Sequence, residues 1–218
     1  MPHTSESLQA AFKYLFIEEV HALKELAQSL PANPVVVNIG AGAGTSGLAF
    51  MESRPDLYLC TIDTEENDSP LGSLYSEEQV LRQAGLWSST EDNIYPVRIK
   101  HLCGDSEAVG LSWHVEDWDS GYKYYPLLEP FVDLVFIDGD HSYNGCKGDI
   151  LAWLPNIKTD GIMAVHDFGK REVYKNGPID NAPHPLPWPG VDRAVRRYLC
   201  PYFEMILKVK TLVAFRVK

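Results

Sequence analysis

The sequence predicts an α/β fold, doubly wound around a mostly parallel seven-stranded sheet, with helices on both faces and an antiparallel β-hairpin at the C-terminal end. Three observations carry this. Short apolar runs alternate with helical periodicities through most of the chain, which is the pattern of βαβ units. The run 35–39 is continuously apolar and β-branched instead of alternating, as expected of a strand covered on both faces. The last two runs, 203–209 and 211–217, have a single residue between them, a connection short enough only for antiparallel neighbours.

Taken in order, Leu8, Phe12, Leu15, Phe16, Val20, Leu23, Leu26 and Leu30 recur at three- and four-residue steps and predict one amphipathic helix over 5–30. Pro31 and Pro34 end it. The β-branched run 35–39 is the first strand and 45–52 a helix. A second strand is expected at 57–62 and a helix at 76–85, whose Ser76, Glu77 and Glu78 suit a first turn. A strand at 97–103, a short helix at 106–114 and a strand at 131–137 follow. Tyr143, Cys146, Ile150, Leu154 and Ile157 share one face of a helix over 143–157. A strand at 161–165, a helix at 191–199 and the hairpin complete the series. The chain reads as a single domain over 1–218, with an N-terminal helical segment over 1–33.

The 218 residues are 45% hydrophobic and 22% charged, a composition that supports a substantial core and excludes wholesale disorder. The formal net charge of −11 argues against a protein that grips nucleic acid. Cys60, Cys103, Cys146 and Cys200 form no C-x-x-C pair and read as reduced, mostly buried thiols. No secretory signal or membrane-length apolar run is visible, so a cytoplasmic location is expected. The N-terminal helix is expected either to cover the sheet or to mediate a homodimer.

The first strand runs straight into Gly40-Ala41-Gly42-Ala43-Gly44-Thr45-Ser46-Gly47. Glycine here permits positive φ and a close approach to the backbone, and the helix that follows offers free N–H groups to an anion. Two patterns fit. Gly42, Gly44 and Gly47 satisfy the G-x-G-x-x-G dinucleotide fingerprint, whereas Gly40, Gly42 and Gly44 satisfy a G-x-G-x-G nucleoside turn. The register favours the second, because Gly40 follows the strand directly. The second strand ends in Asp63-Thr64, and Asp63 is nineteen positions past Gly44 (63 − 44), the spacing at which an acid accepts ribose hydroxyls. The turn Gly104-Asp105-Ser106 after the third strand suits either an adenine edge or a helix cap.

The fourth strand ends in Asp138-Gly139-Asp140-His141 and the fifth in His166-Asp167. Strand ends of this kind face one crevice. Carboxylates with imidazole suit a divalent cation, and they equally suit a general base.

In the order of these motifs the chain resembles class I S-adenosylmethionine-dependent methyltransferases of Rossmann-like fold. The segment DGDHSYNGCKGDILAWLPNIKTDGIMAVHDF is similar to the small-molecule O-methyltransferase branch that includes macrolide and sugar methylases and cephalosporin-hydroxylase-like proteins. The resemblance covers the chain from Val35 onward, including the terminal hairpin that nicotinamide-binding folds lack. It implies S-adenosyl-L-methionine as cofactor, held by Gly40, Ala41, Gly42, Gly44, Thr45, Ser46, Asp63, Thr64, Gly104, Asp105, Ser106 and Asp138. It implies His141 and Asp138 as catalytic residues, with His141 the base. Asp138, His166 and Asp167 would hold a metal, Mg2+ or Mn2+. The acceptor is expected to be a small-molecule hydroxyl. Two departures stand out: Asn38 takes a strand position that is commonly acidic, and His166 stands where relatives often carry a carboxylate.

Two segments fit no element. Residues 116–130 are rich in aromatics, and Trp113, Trp118, Tyr122, Tyr124 and Tyr125 suit either a substrate wall or the core. Residues 169–190 hold five of the fifteen prolines and read as a lid. The competing functions are a nucleoside-binding module without catalysis and an NAD-dependent oxidoreductase, against which the C-terminal hairpin argues.

Overall fold

Covering a sheet on both faces requires two apolar helical layers, and the chain supplies them by switching sides midway. In the structure, a computed structural model, residues 4–12, 14–54, 56–64, 73–87, 98–113, 132–169 and 188–218 are described. The elements are α1 (Ser5–Phe12), α2 (Ile17–Gln28), β1 (Val35–Ile39), α3 (Thr45–Ser53), β2 (Tyr58–Asp63), α4 (Ser73–Gln83), β3 (Ile99–Cys103), α5 (Ser106–Ser112), β4 (Val132–Ile137), α6 (Tyr143–Trp153), β5 (Ile157–Val165), α7 (Pro189–Tyr198), β6 (Glu204–Val209) and β7 (Leu212–Arg216).

Among the described residues the sheet has seven strands in the order β3-β2-β1-β4-β5-β7-β6. The first five are parallel, and β7 lies antiparallel between β5 and β6. This is the expected doubly wound sheet with its C-terminal hairpin. One face is covered by α2, α3 and α4, where Leu23, Leu48 and Leu81 pack against Leu134 and Phe136. The other is covered by α5, α6 and α7, where Ile150, Trp153 and Val195 pack against Val135 and Met163. The strand order reverses between β1 and β4, so a crevice opens beyond their carboxyl ends.

The N-terminal segment departs from the single expected helix: it is two. Phe16 starts α2 afresh, its N–H donating to the Glu19 carboxylate at 2.8 Å and its carbonyl accepting from the N–H groups of Glu19 and Val20. Leu15, just before the restart, and Val20 and Leu23, after it, belong to one core layer. α4 begins at Ser73, which moves Glu77 out of the first turn and onto the buried side. β5 begins at Ile157, four residues earlier than expected, and the register of its pairing with β4 shifts between Val132 and Leu134.

The four cysteines are free thiols; Cys60 and Cys146 are buried, while Cys103 and Cys200 are exposed because they stand at the ends of their elements. Trp113 is core, its ring 4.9 Å from that of Trp153. The aromatic stretch 116–130 and nearly all of the expected lid lie outside the described residues. No helix among the described residues is long and apolar enough to cross a membrane.

Candidate active site

The crevice at the strand-order reversal gathers most of the expected residues. Gly40, Gly42 and Gly44 all have positive φ (88°, 50° and 83°), which glycine adopts without strain. At Gly40 the need is also steric, since a Cβ would overlap the carbonyl oxygen of Asp138 in the neighbouring strand end. The turn closes with the Gly44 N–H donating to Ala41 at 2.8 Å. Thr45 and Ser46 open α3 and are buried. Asp63 braces the turn from β2: its Oδ2 accepts the Ala41 N–H at 2.8 Å. The Gly104 N–H in turn donates to the carbonyl of Asp63, so the ends of β1, β2 and β3 are tied in one line, with Thr64 just beyond β2.

Asp105 and Ser106 each have a partner within the fold. Asp105 caps α5, accepting the Glu107 N–H at 3.0 Å. The Ser106 hydroxyl donates to Asp149, a buried carboxylate of α6. Burial pushes the Asp149 carboxyl up to about 6; the Ser106 hydroxyl opposes this, while Asp105, Asp140 and Glu107 add to it. An acid raised above its unfolded value of 3.8 binds more protons folded than unfolded. It therefore costs stability as pH rises from about 4 to about 6. Asp149→Asn should thus be more stable than the parent by about 2–3 kcal/mol at pH 8, with the gap closing toward pH 4. Urea unfolding of both proteins across that range measures it, and a gap independent of pH would refute the cause.

At the ends of β4 and β5 the side chains alternate in charge. His141 Nε2 lies 3.0 Å from Asp167 Oδ2 and 3.5 Å from Asp138 Oδ1. Its ring stacks on Trp188 at 4.7 Å, just ahead of α7. His166 Nδ1 lies 2.9 Å from Asp138 Oδ1, and its Nε2 lies 3.1 Å from Glu19 Oε2. Glu19 is fully buried and also accepts from the N–H and hydroxyl of Thr211, each at 2.7 Å.

The titration of these groups follows from the arrangement. Burial alone would lower His141, but its hydrogen bonds to Asp138 and Asp167, with their negative charge, raise it to about 9. Burial likewise works against charge on His166, yet Asp138, Glu19 and Asp167 hold its pKa well above the ordinary value. Asp138 is pushed up by burial and pulled down further by His166 and His141, ending below the ordinary carboxylate range.

Of the residues expected to hold a metal, Asp138 and Asp167 converge, and the third group with them is His141. Ligand atoms of Asp138, His141 and Asp167 all lie within 4.8 Å of one another. His166 turns both ring nitrogens to carboxylates, one to Asp138 and one to Glu19, because α2 delivers Glu19 beneath it. Glu19 was not among the expected residues. Its signal was a carboxylate three residues from Phe16 and four from Leu23, on the apolar stripe of the helix.

The fold and this site place the chain among methyltransferases. Residues 37–168, more than half of the chain, match a family model described as a methyltransferase domain, and the chain belongs to that family. Its fold is the Rossmann-like fold of class I methyltransferases. Similar solved structures include an O-methyltransferase from Bacillus cereus in complex with S-adenosylhomocysteine, at 16% identity and a TM-score of 0.64, covering 98% of this chain and 89% of that one. Another is TomG from Streptomyces achromogenes, an O-methyltransferase of tomaymycin synthesis in complex with S-adenosylmethionine, at 16% identity and 0.61, covering 98% and 88%. A third is CalS11, a TDP-rhamnose 3′-O-methyltransferase of calicheamicin biosynthesis, at 18% identity and 0.58, covering 91% and 77%. Among curated proteins the chain found no match.

Proposed function

We propose that the chain transfers the methyl group of S-adenosylmethionine to a hydroxyl of a small molecule, at a site where Asp138, His141 and Asp167 hold a divalent cation. The observation that carries this is the convergence of those three side chains within 4.8 Å, beside the glycine turn. The neighbours with bound S-adenosylmethionine or S-adenosylhomocysteine support the donor, and the named O-methyltransferases support oxygen as the acceptor atom. Gly40, Ala41, Gly42, Gly44, Thr45 and Ser46 would hold the amino-acid end, and Asp63, Thr64, Gly104, Asp105 and Ser106 the nucleoside.

In the reaction the acceptor oxygen attacks the methyl carbon in line. The carbon–sulfur bond breaks, its electron pair goes to sulfur as the thioether forms, and the hydroxyl proton passes to solvent water. Holding oxygen and methyl in line is worth about 7–11 kcal/mol of the barrier. Two carboxylates and an imidazole suit manganese or a softer ion at least as well as magnesium. When bound, the cation supplies Lewis acidity toward the hydroxyl. Asp138 and Asp167 orient His141 between them, and Trp188 fixes the plane of its ring.

A second reading makes His141 the general base with no cation. The two carboxylates that raise it to about 9 keep it protonated near neutral pH, which counts against that role. Incubation with S-adenosylmethionine and phenolic, catecholic and sugar-nucleotide acceptors, with Mn2+, with Mg2+ or with chelator, tests both readings by S-adenosylhomocysteine release. Turnover that chelator abolishes and Mn2+ restores is expected. Undiminished turnover in chelator overturns the cation, and methylation of amines alone overturns the hydroxyl acceptor.

A further inference from the structure

Beneath the glycine turn lies a second buried polar cluster that the proposed chemistry does not use. Asn38, Thr61 and His101 stand in register across β1, β2 and β3, on the face covered by α3 and α4. Glu77 of α4 lies over this row with 0% exposure. Its Oε1 accepts from Asn38 Nδ2 at 3.2 Å, and Asn38 Oδ1 accepts the Ser46 hydroxyl at 3.1 Å. Its Oε2 is 2.7 Å from His101 Nε2, yet neither atom has a hydrogen bond of good geometry, nor does the buried Nε1 of Trp87, whose ring is 5.0 Å from that of His101.

Glu77 also shapes the turn. A Cβ on Gly44 would come within 2.8 Å of Glu77 Cα, and one on Gly47 would overlap the Glu77 carboxylate. The small residues at the start of α3 thus make room for a buried acid as well as for a ligand. A buried carboxylate with an unsatisfied oxygen is costly, so its presence calls for a physical reason. The positive end of α3 compensates part of the charge. Glu77 thus lies directly beneath the first helical turn of α3, one oxygen on Asn38 and the other facing His101.

We infer that Glu77 is a positioning residue for the amino-acid end of the cofactor. Through Asn38 and Ser46 it sets the first turn of α3, and its charge makes that turn select a zwitterion, with N–H groups for the carboxylate and a negative field for the ammonium. The inference rests on S-adenosylmethionine being the donor and is independent of the acceptor and of any cation.

The test is isothermal titration of the full chain with S-adenosylhomocysteine and with 5′-methylthioadenosine, which keeps the nucleoside and thioether but lacks the ammonium and carboxylate. E77Q is nearly isosteric and keeps an oxygen for Asn38. It should weaken S-adenosylhomocysteine about tenfold and leave methylthioadenosine within about twofold. The double variant N38D/E77Q exchanges amide and carboxylate between strand and helix, and it should restore S-adenosylhomocysteine affinity. Equal losses for both ligands in E77Q would reduce Glu77 to a fold-supporting residue, and unchanged S-adenosylhomocysteine binding would remove the role altogether. If E77Q does not fold, Glu77→Asp, which keeps the charge and draws it away from Asn38, decides: selective weakening of S-adenosylhomocysteine supports the inference, and unchanged or equally weakened binding of the two ligands overturns it. A parent protein that binds neither ligand would instead overturn the donor assignment.

Discussion

Asp167→Asn is expected to lower kcat about 10²–10⁴-fold while leaving the affinity for S-adenosylhomocysteine within about threefold of the parent. The geometry makes this substitution a clean probe. Asp167 has φ 62°, a left-handed conformation that Asn tolerates nearly as well as Asp, so the backbone corner after β5 survives. The next residue keeps its own anchor, the Phe168 N–H donating to Thr211 at 2.9 Å. What is lost is charge: one of the two carboxylates facing His141 Nε2, and one of the three proposed cation ligands. A non-glycine residue held at positive φ beside a candidate site is the kind of strain that functional positions retain. Steady-state kinetics with titration of the product nucleoside checks the expectation. Unchanged kcat would leave Asp167 as a corner residue only. A parallel fall in kcat and affinity would make it a cofactor contact.

How far the sequence exposed this arrangement depended on the range of the interaction. Local signals were legible. The continuously apolar run 35–39 became a strand buried almost throughout, the one-residue link between the last two runs became the β6–β7 hairpin, and the glycine turn came out in left-handed conformations. The long-range polar pairs were not legible. Nothing local says that Glu19 crosses to His166, 147 residues away, or that Asp149 reaches back to Ser106, 43 residues away. Apolar periodicity is blind to a polar residue sitting in the buried stripe, and that stripe is where Glu19 and Glu77 both lie. The error at 5–30 has the same origin. Periodicity reports which face is buried and is silent about a carboxylate that folds back to restart the helix at Phe16.

Glu19→Ala should be the most damaging single change outside the crevice, costing about 3–5 kcal/mol of stability. The carboxylate satisfies four donors at once: the Phe16 N–H, the Thr211 N–H and hydroxyl, and His166 Nε2. Truncation removes the acceptor that all four share, and leaves the Thr211 hydroxyl, 3.1 Å away, in place of a carboxylate at His166 Nε2. For a chain of this size the midpoint of thermal unfolding should fall by roughly 10 °C. Glu19→Gln keeps the acceptor oxygen for Thr211 and should cost less, about 1–3 kcal/mol. Adding His166→Leu to Glu19→Ala separates the causes. If the penalty comes from an orphaned cation, the double variant is more stable than Glu19→Ala alone; if it comes from the unpaired Phe16 and Thr211 groups, the second substitution adds further loss. Recovery of stability without recovery of kcat would have a specific meaning. The imidazole would be dispensable for folding once Glu19 is gone, and still required to hold Asp138 in place, so the start of α2 would serve the site as well as the core.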